Sequence, residues 1–261
     1  MEISYSGPKE FVRIFDHFDR MSQCLSITEQ ENKALQEQKQ SMLADISHDL
    51  KTPITVIQGY ARALHDGLMG EEQRDAYLEA IYHKAELLTQ LINAFSEYNK
   101  LEHPTYEIHP AVTDVCEYAR QYLSEKYDEI EAAGFQLQVE IPETPLRYSL
   151  DAFQFRRVLD NLISNAFRHN PRGTTILFEV SKRPGGVCIT VADNGVGVPP
   201  EIAPRIFEPF TVGNASRSRD GTGLGLSIAR KIVLLHGGTI ALKIPPREGW
   251  STEFEILLTD G

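Results

Sequence analysis

No apolar run in this 261-residue chain approaches the roughly 20 residues needed to cross a bilayer, and no secretory leader stands at its start. The segment is therefore expected to make no membrane contact of its own. Cysteine is scarce: Cys24, Cys116 and Cys188 are far apart, with no CxxC pair. That spacing excludes a disulfide framework or a zinc site and reads as reduced cytosolic thiols. Positive charge is also short, with 26 Lys and Arg against 37 Asp and Glu and a formal net charge of −11. A chain so acidic is not built for general binding to nucleic acid or anionic lipid. The P-loop signature GxxxxGK[ST] is missing. The glycine cluster at Gly221, Gly223 and Gly225 is spaced GxGxG with no strand immediately before it, which argues against a Rossmann dinucleotide site.

The hydrophobic and charged fractions, 41% and 24%, are those of an ordinary folded protein. The length suffices for two modest domains, or one domain with a long helical appendage. The stretch SMLADISHDLKTPITVIQGY carries apolar residues at Met42, Ile46, Leu50, Ile54, Ile57, Ala61 and Leu64, the stripe of an amphipathic helix. His48 lies about 200° from both Ile46 and Leu50 at 100° per residue, so it points to solvent. Asp45, Asp49 and Thr52 share its side of the helix. Pro53 cannot donate to the carbonyl of Asp49. A helix with a surface histidine and a tolerated kink accounts for this pattern. So does a nucleophilic imidazole, with one ring nitrogen free to attack and Asp49 holding the proton on the other.

Taken in order, residues 1–40 read as a helical linker from about Lys9, with Phe11, Ile14, Phe18, Met21 and Leu25 as its stripe and Gly7-Pro8 before it as a helix start. Residues 41–104 read as two helices joined by a turn between Gly67 and Gly70. The second runs from about Glu71 to Leu101, with Tyr77, Ile81, Leu88, Ile92 and Phe95 as its stripe and Ala85 and Leu91 beside it. One such hairpin buries its stripes poorly, so a homodimeric four-helix bundle is expected. HPTYEIHP reads as a hinge. Residues 105–261 read as mixed α+β. A helix is expected over about Val112 to Ala133, strands at FQLQVEI and LRYSL with Pro142 and Pro145 in the turn between them, and a helix capped by Asp151 to about Arg168. Paired strands at TTILFEVSK and GVCITVAD follow, then a helix over about Leu224 to His236 and strands at GTIALKI and STEFEILL. With no alternating βα repeat, this pattern favours a two-layer sandwich.

Within that part, Asn161 and Asn165 stand four residues apart, with Arg168 and His169 a turn further on. They are either ordinary surface polarity or amides that offer oxygens to a hard cation and donors to phosphate. VADNGVGVP ends a strand in a turn. There Asp193 is a carboxylate suited to an adenine amino group, and Gly195 and Gly197 allow close approach to a flat base. IFEPF, with Phe207 and Phe210, leads to GNASRSRDGTGLGLSIAR. Its glycines precede a helix whose free amides suit triphosphate oxygens, under a polar, glycine-rich lid.

HDLKTP resembles the phosphoacceptor box of the sensor histidine kinases of two-component signalling. RVLDNLISNAFRHN, VADNGVGVP, GTGLGL and GWSTEF resemble that family's nucleotide boxes in the expected order, the likeness covering roughly residues 40 to 258. The resemblance implies an all-α hairpin, a four-helix bundle on dimerisation, followed by an α+β two-layer sandwich ATPase domain of the GHKL (Bergerat) type. It implies ATP and Mg²⁺ as cofactors, His48 as phosphoacceptor with Asp49 polarising it, and a response-regulator receiver domain as partner. By the same likeness Asn165 holds Mg²⁺, Asn161 and Arg168 lie near the phosphates, and Thr252 meets the adenine edge. Phe210, Gly221, Gly223, Leu224, Gly225 and Leu226 frame the lid, and Thr52 orients water in a phosphatase reaction. The family usually has Lys then Tyr where Arg168 and His169 stand, so the role of His169 is open. Its frequent lid arginine is Val212 here, with Arg217 or Arg219 as substitutes, and Ser251 replaces a glycine. These departures allow a second reading, a catalytically weak nucleotide-binding dimeric scaffold. A third, an ATPase of the chaperone, topoisomerase or mismatch-repair kind, lacks an HDLKTP hairpin. EFVRIFDHFDRM resembles the second helix of a HAMP linker, which implies a membrane-anchored parent protein with this part in the cytoplasm.

Overall fold

Two long helices open the computed structural model, which describes residues 9–67, 70–103, 105–211 and 222–259. The Gly7-Pro8 start lies outside these. Helix α1, Lys9–His65, is a single helix that carries Pro53 within it. The chain divides into two compact units, Met1–Thr52 and Pro53–Gly261, with the division falling at that proline. In the first unit Phe18, Met21, Leu25 and Ile27 are exposed, and Ile46 is buried.

The inward stripe of α1 differs from the expected one. Pro53 is buried and Ile57, Tyr60 and Leu64 are partly buried, whereas Ile54 and Ala61 are exposed. The reason is geometric. Each step of four overshoots a full turn by about 40°, so three in succession carry Ile54 off the face that Met42 began. Steps alternating four and three, as in Pro53, Ile57, Tyr60 and Leu64, stay on one seam. His48 lies five residues before Pro53, about 140° around the helix. The proline is buried and the histidine exposed.

Helix α2, Glu71–Glu102, follows a turn in which Gly67 takes a φ of 66°. The rings of Tyr60 and Tyr77, 4.4 Å apart, close the hairpin at its turn. On α2 the seam again alternates: Leu91 and Leu101 are buried, Tyr77, Ile81, Leu88 and Phe95 partly so, while Ala85 and Ile92 face out.

The remainder forms a helical layer on a mixed sheet. Strand β1, Ala111–Asp114, occupies the stretch expected to begin a helix. Its β-branched Val112 and Thr113 pair antiparallel with Ser149 and Tyr148 of β3, Arg147–Leu150. Helix α3, Val115–Ala132, then starts from Asp114, whose side chain accepts from the Cys116 amide. Strand β2, Gln136–Glu140, does not pair with β3 across Pro142 and Pro145. It runs parallel to β4, Thr175–Arg183, so that connection crosses between two sheets. Helix α4, Ala152–His169, is capped by Asp151, which accepts from the Gln154 amide.

Strands β4 and β5 (Gly186–Asp193) form the expected hairpin. Helix α5 (Gly225–Leu235) and strands β6 (Thr239–Leu242) and β7 (Thr252–Thr259) complete the domain. The five-stranded sheet has the order β2-β4-β5-β7-β6. Ile176, Phe178 and Val180 alternate with Leu177 and Glu179 along β4, and Val187, Ile189 and Val191 do the same on β5. These face the core with Phe254, Ile256 and Leu258 of β7, beneath Phe155, Leu159, Leu162 and Ile163 of α4 and Ile228, Ala229 and Ile232 of α5. That period of two against a helical period is what a two-layer α+β sandwich requires.

The end of α2 joins this core. Leu101 is buried in it, and Phe95 and Tyr98 pack against it. Ion pairs Arg157–Glu97 and Lys231–Glu102 (2.8 Å) flank the contact.

Candidate functional site

His48 projects from α1 with its side chain 79% exposed, and its Nδ1 lies 3.2 Å from Oδ1 of Asp49. Adjacent residues on a helix diverge by about 100°, so this contact depends on both side chains leaning together at the surface. A carboxylate on Nδ1 favours the tautomer that carries its proton there and leaves the Nε2 lone pair as the nucleophile. The Thr52 hydroxyl donates to the carbonyl of His48 at 3.2 Å, one turn along the same side.

Asp193 ends β5 and is buried. Burial pushes its carboxyl above the usual carboxylate range, against the pull of the Gly195 amide and side-chain hydrogen bonds from Thr252 and Asn170. The Gly195 N–H donates to Oδ1 at 3.1 Å, and the Ser251 amide donates to the Asp193 carbonyl at 2.8 Å. Thr252 stands opposite Asp193 in the β5–β7 register, so the two sequence-distant boxes meet here. Gly197 has a φ of 75°, which suits glycine.

Asn170 belongs to this site and was not singled out by the sequence reading. It caps the C-terminus of α4. Its Oδ1 accepts from the Val196 amide at 2.9 Å, and its amide donates to the Ala166 carbonyl. Its position as the last residue of the RVLDNLISNAFRHN run is the one signal that marked it.

The middle of α4 meets the start of α5. A Cβ on Gly225 would lie 2.9 Å from Oδ1 of Asn161. Asn161, Asn165 and Arg168 fall within about 60° on one face of α4 by helical spacing, and Arg168 is exposed. His169, next in sequence, is partly buried. Helix α5 has no side-chain cap at Leu224, so its first amides are open to an anion. Leu224 is fully buried, Leu226 is partly buried, and Gly223 turns with a φ of 65°. The Phe210 amide donates to the Gly223 carbonyl at 2.9 Å. Arg217, Arg219, Gly221 and Val212 lie outside the described residues. From Asn161 to Asn170 the helix rises about 13 Å. The Asn170 cap beside Asp193 and the Asn161 contact with Gly225 are thus carried by one rigid element.

Residues 150–260 match the family model of the histidine kinase-, DNA gyrase B- and HSP90-like ATPases, and residues 38–104 match that of the His kinase A (phospho-acceptor) domain. Sensor histidine kinase YcbM of Bacillus subtilis (strain 168) is 34% identical over 220 residues, covering 83% of this chain and 70% of that protein. Sensor protein GtcS of Aneurinibacillus migulanus is 34% identical over 233 residues, 88% of this chain. The crystal structure of histidine kinase ThkA in complex with response regulator protein TrrA aligns with a TM-score of 0.65 at 26% identity, over 84% of this chain and 61% of that one. The chain belongs to the sensor histidine kinases of two-component signal transduction, and its C-terminal domain is of their ATP-binding kind. It spans 62% of the length of GtcS. Among the described residues no helix is long and apolar enough to cross a membrane.

Proposed function

We propose that this chain is the cytoplasmic portion of a membrane-anchored sensor that autophosphorylates His48 from Mg·ATP and passes the phosphoryl group to an aspartate of a response-regulator receiver domain. The observation that carries the reading is the exposed His48 imidazole with Asp49 at its Nδ1. In the transfer, Nε2 of His48 attacks the γ-phosphorus, the bond to the β–γ bridging oxygen breaks, and ADP leaves. Asp49 stabilises the imidazolium that develops. Asp193 accepts from the adenine amino group, with Thr252 beside it. Asn161, Arg168 and the amides that open α5 bind phosphate oxygens, and Phe210, Gly223, Leu224 and Leu226 frame the lid.

The donor set suits Mg²⁺. Asn165 offers a hard amide oxygen on the face it shares with Asn161 and Arg168, and Mg²⁺ usually takes few protein ligands beside phosphate and water. Bound there, the ion neutralises phosphate charge. Positioning and electrostatics then supply most of the rate.

A second copy of the chain is the natural cover for the outward apolar residues Ile54, Leu78, Tyr82 and Ile92 on the hairpin, which supports a homodimeric bundle. Thr52, whose hydroxyl donates to the His48 carbonyl, orients water for dephosphorylating the regulator once that bond is released. Incubation with γ-labelled ATP and Mg²⁺ tests the central claim. Acid-labile, base-stable label is expected on the wild type and none on His48→Gln. Label persisting on the variant would move the chemistry elsewhere.

A further inference from the structure

The connection between β6 and β7 is fastened at one end by an arginine that no nucleotide box includes. The backbone N–H of Arg247 donates to Oε2 of Glu253 at 2.8 Å, and its Nε donates to Oε1 of the same carboxylate at 3.0 Å. Its Nη1 reaches Oε2 of Glu179 at 2.7 Å. Glu253 is only 5% exposed, and a carboxylate so enclosed is stable only when its oxygens are paired. One residue supplies both partners.

The strand register shows what this clamp spans. Glu253 of β7 stands opposite Ala192 of β5, and Glu179 of β4 stands opposite Thr190 of β5. The guanidinium therefore links β7 to β4 across the outer side of β5, where the small side chains of Thr190 and Ala192 are buried. The next residue of β5 is Asp193. The other end of the connection closes on that same residue, through the Ser251 amide to its carbonyl and the Thr252 hydroxyl to its carboxyl. Inside the loop, the Trp250 amide donates to the Arg247 carbonyl at 3.1 Å. Residues 247–252 thus make a strap whose Arg247 end is held on Glu253 and Glu179 and whose Thr252 end is held on Asp193.

We propose that Arg247 is a positioning residue for base selection: its clamp fixes the strap that aims the Asp193 carboxyl at an adenine amino group. The inference rests on the reading of Asp193 as the base acceptor. The Asp193 carboxyl is held by the Gly195 amide and Asn170 on one side and by Thr252 on the other, while the Ser251 amide holds its backbone carbonyl. Thr252 stays in the β5–β7 ladder, but release of the strap frees the Ser251 turn before it and loosens the alignment of its hydroxyl with the carboxyl, and hydrogen-bond strength falls steeply with misalignment.

ADP and IDP, which differ at the base by an amino group against a carbonyl, are titrated calorimetrically into the wild type, Arg247→Met, Arg247→Lys and Glu179→Gln. The wild type is expected to prefer ADP. In Arg247→Met that preference falls about tenfold, one hydrogen bond's worth, while IDP affinity stays within about twofold. Arg247→Lys keeps the charge without the fork and falls between. If Arg247→Met fails to fold, Glu179→Gln, which removes only the outer arm, reads the same ratio and lowers it by about two- to threefold. A general loss of stability would weaken both nucleotides alike and leave the ratio untouched. Folded variants with the wild-type ratio would overturn the role of Arg247 alone. A wild type indifferent to the base would overturn the Asp193 reading, and the strap with it.

Discussion

A Cβ on Gly195 would sit 1.8 Å from Oδ1 of Asn170. The amide of an α4 cap thus occupies the space that any other residue at 195 would need, and it uses that position to hold the Val196 amide. The turn that follows Asp193 is thus held by a contact between a helix end and a strand end.

Replacing Gly195 by Ala should therefore displace Asn170 and weaken nucleotide binding by about tenfold or more. Asn170→Ala alone leaves the Val196 amide unpaired and should cost about 1–2 kcal/mol of stability. In the double variant the clash is gone, so its binding loss should be less than the sum of the two. Titration of ADP into all three proteins, with melting curves, checks this. Additive losses would mean the contact does not couple the residues.

Asp49→Asn should leave ATP affinity intact and slow autophosphorylation by about a hundredfold, the range of acid–base assistance lost with a carboxylate on imidazole. Rate and binding are read separately, by label incorporation and by calorimetry. A fall in affinity with an unchanged rate would contradict the assignment.

The pH dependence of nucleotide binding follows from Asp193. Its folded carboxyl is raised, chiefly by burial, and in the role proposed for it the ionised form accepts from the base. As pH falls, ADP affinity should decline at a higher pH than an ordinary aspartate would dictate. Asp193→Asn should bind more weakly, with that dependence gone. A wild-type profile flat down to the usual carboxylate range would oppose the assignment.

Asp151 has the opposite sign. Burial pulls its carboxyl up, but backbone N–H groups of His109, Gln154 and Phe153 and the nearby His236 outweigh it and hold the folded value below the usual one. Its contribution is present above the unfolded carboxylate value and is lost as pH falls through the folded one. Asp151→Ala should cost about 1 kcal/mol at neutral pH, as other helix caps do, and the two proteins should converge in stability in acid.

Arg157 is pulled below the usual guanidinium range by burial, and Glu97 of α2 is its ionic partner. Glu97→Gln should loosen the last turns of α2 from the ATP-binding domain by about 1–2 kcal/mol. Hydrogen exchange across residues 94–102 should show it as faster exchange, with the core of β5 unchanged.

Periodicity and punctuation carried much of this protein. The helices ending at His65 and Glu102, the β4–β5 hairpin across Pro184-Gly185, the Asp151 cap and the exposed place of His48 all follow from local patterns. Local rules suffice there because hydrogen bonds within one element, or across one tight turn, decide the outcome. They failed where a distant partner decided. Val112 and Thr113 became a strand because Tyr148 and Ser149 supply the pairing. Strand β2 chose β4 over its neighbour β3. Ile54 and Ala61 turned outward because the packed seam, not the run of apolar letters, selects the face. Residue types suggested Asp193 and the α5 glycines for a nucleotide, and the family resemblance added Asn161 and Thr252. Only the folded chain set Asn170 into Gly195 and drew Arg247 across β5, because such contacts join residues whose separation in sequence has no period.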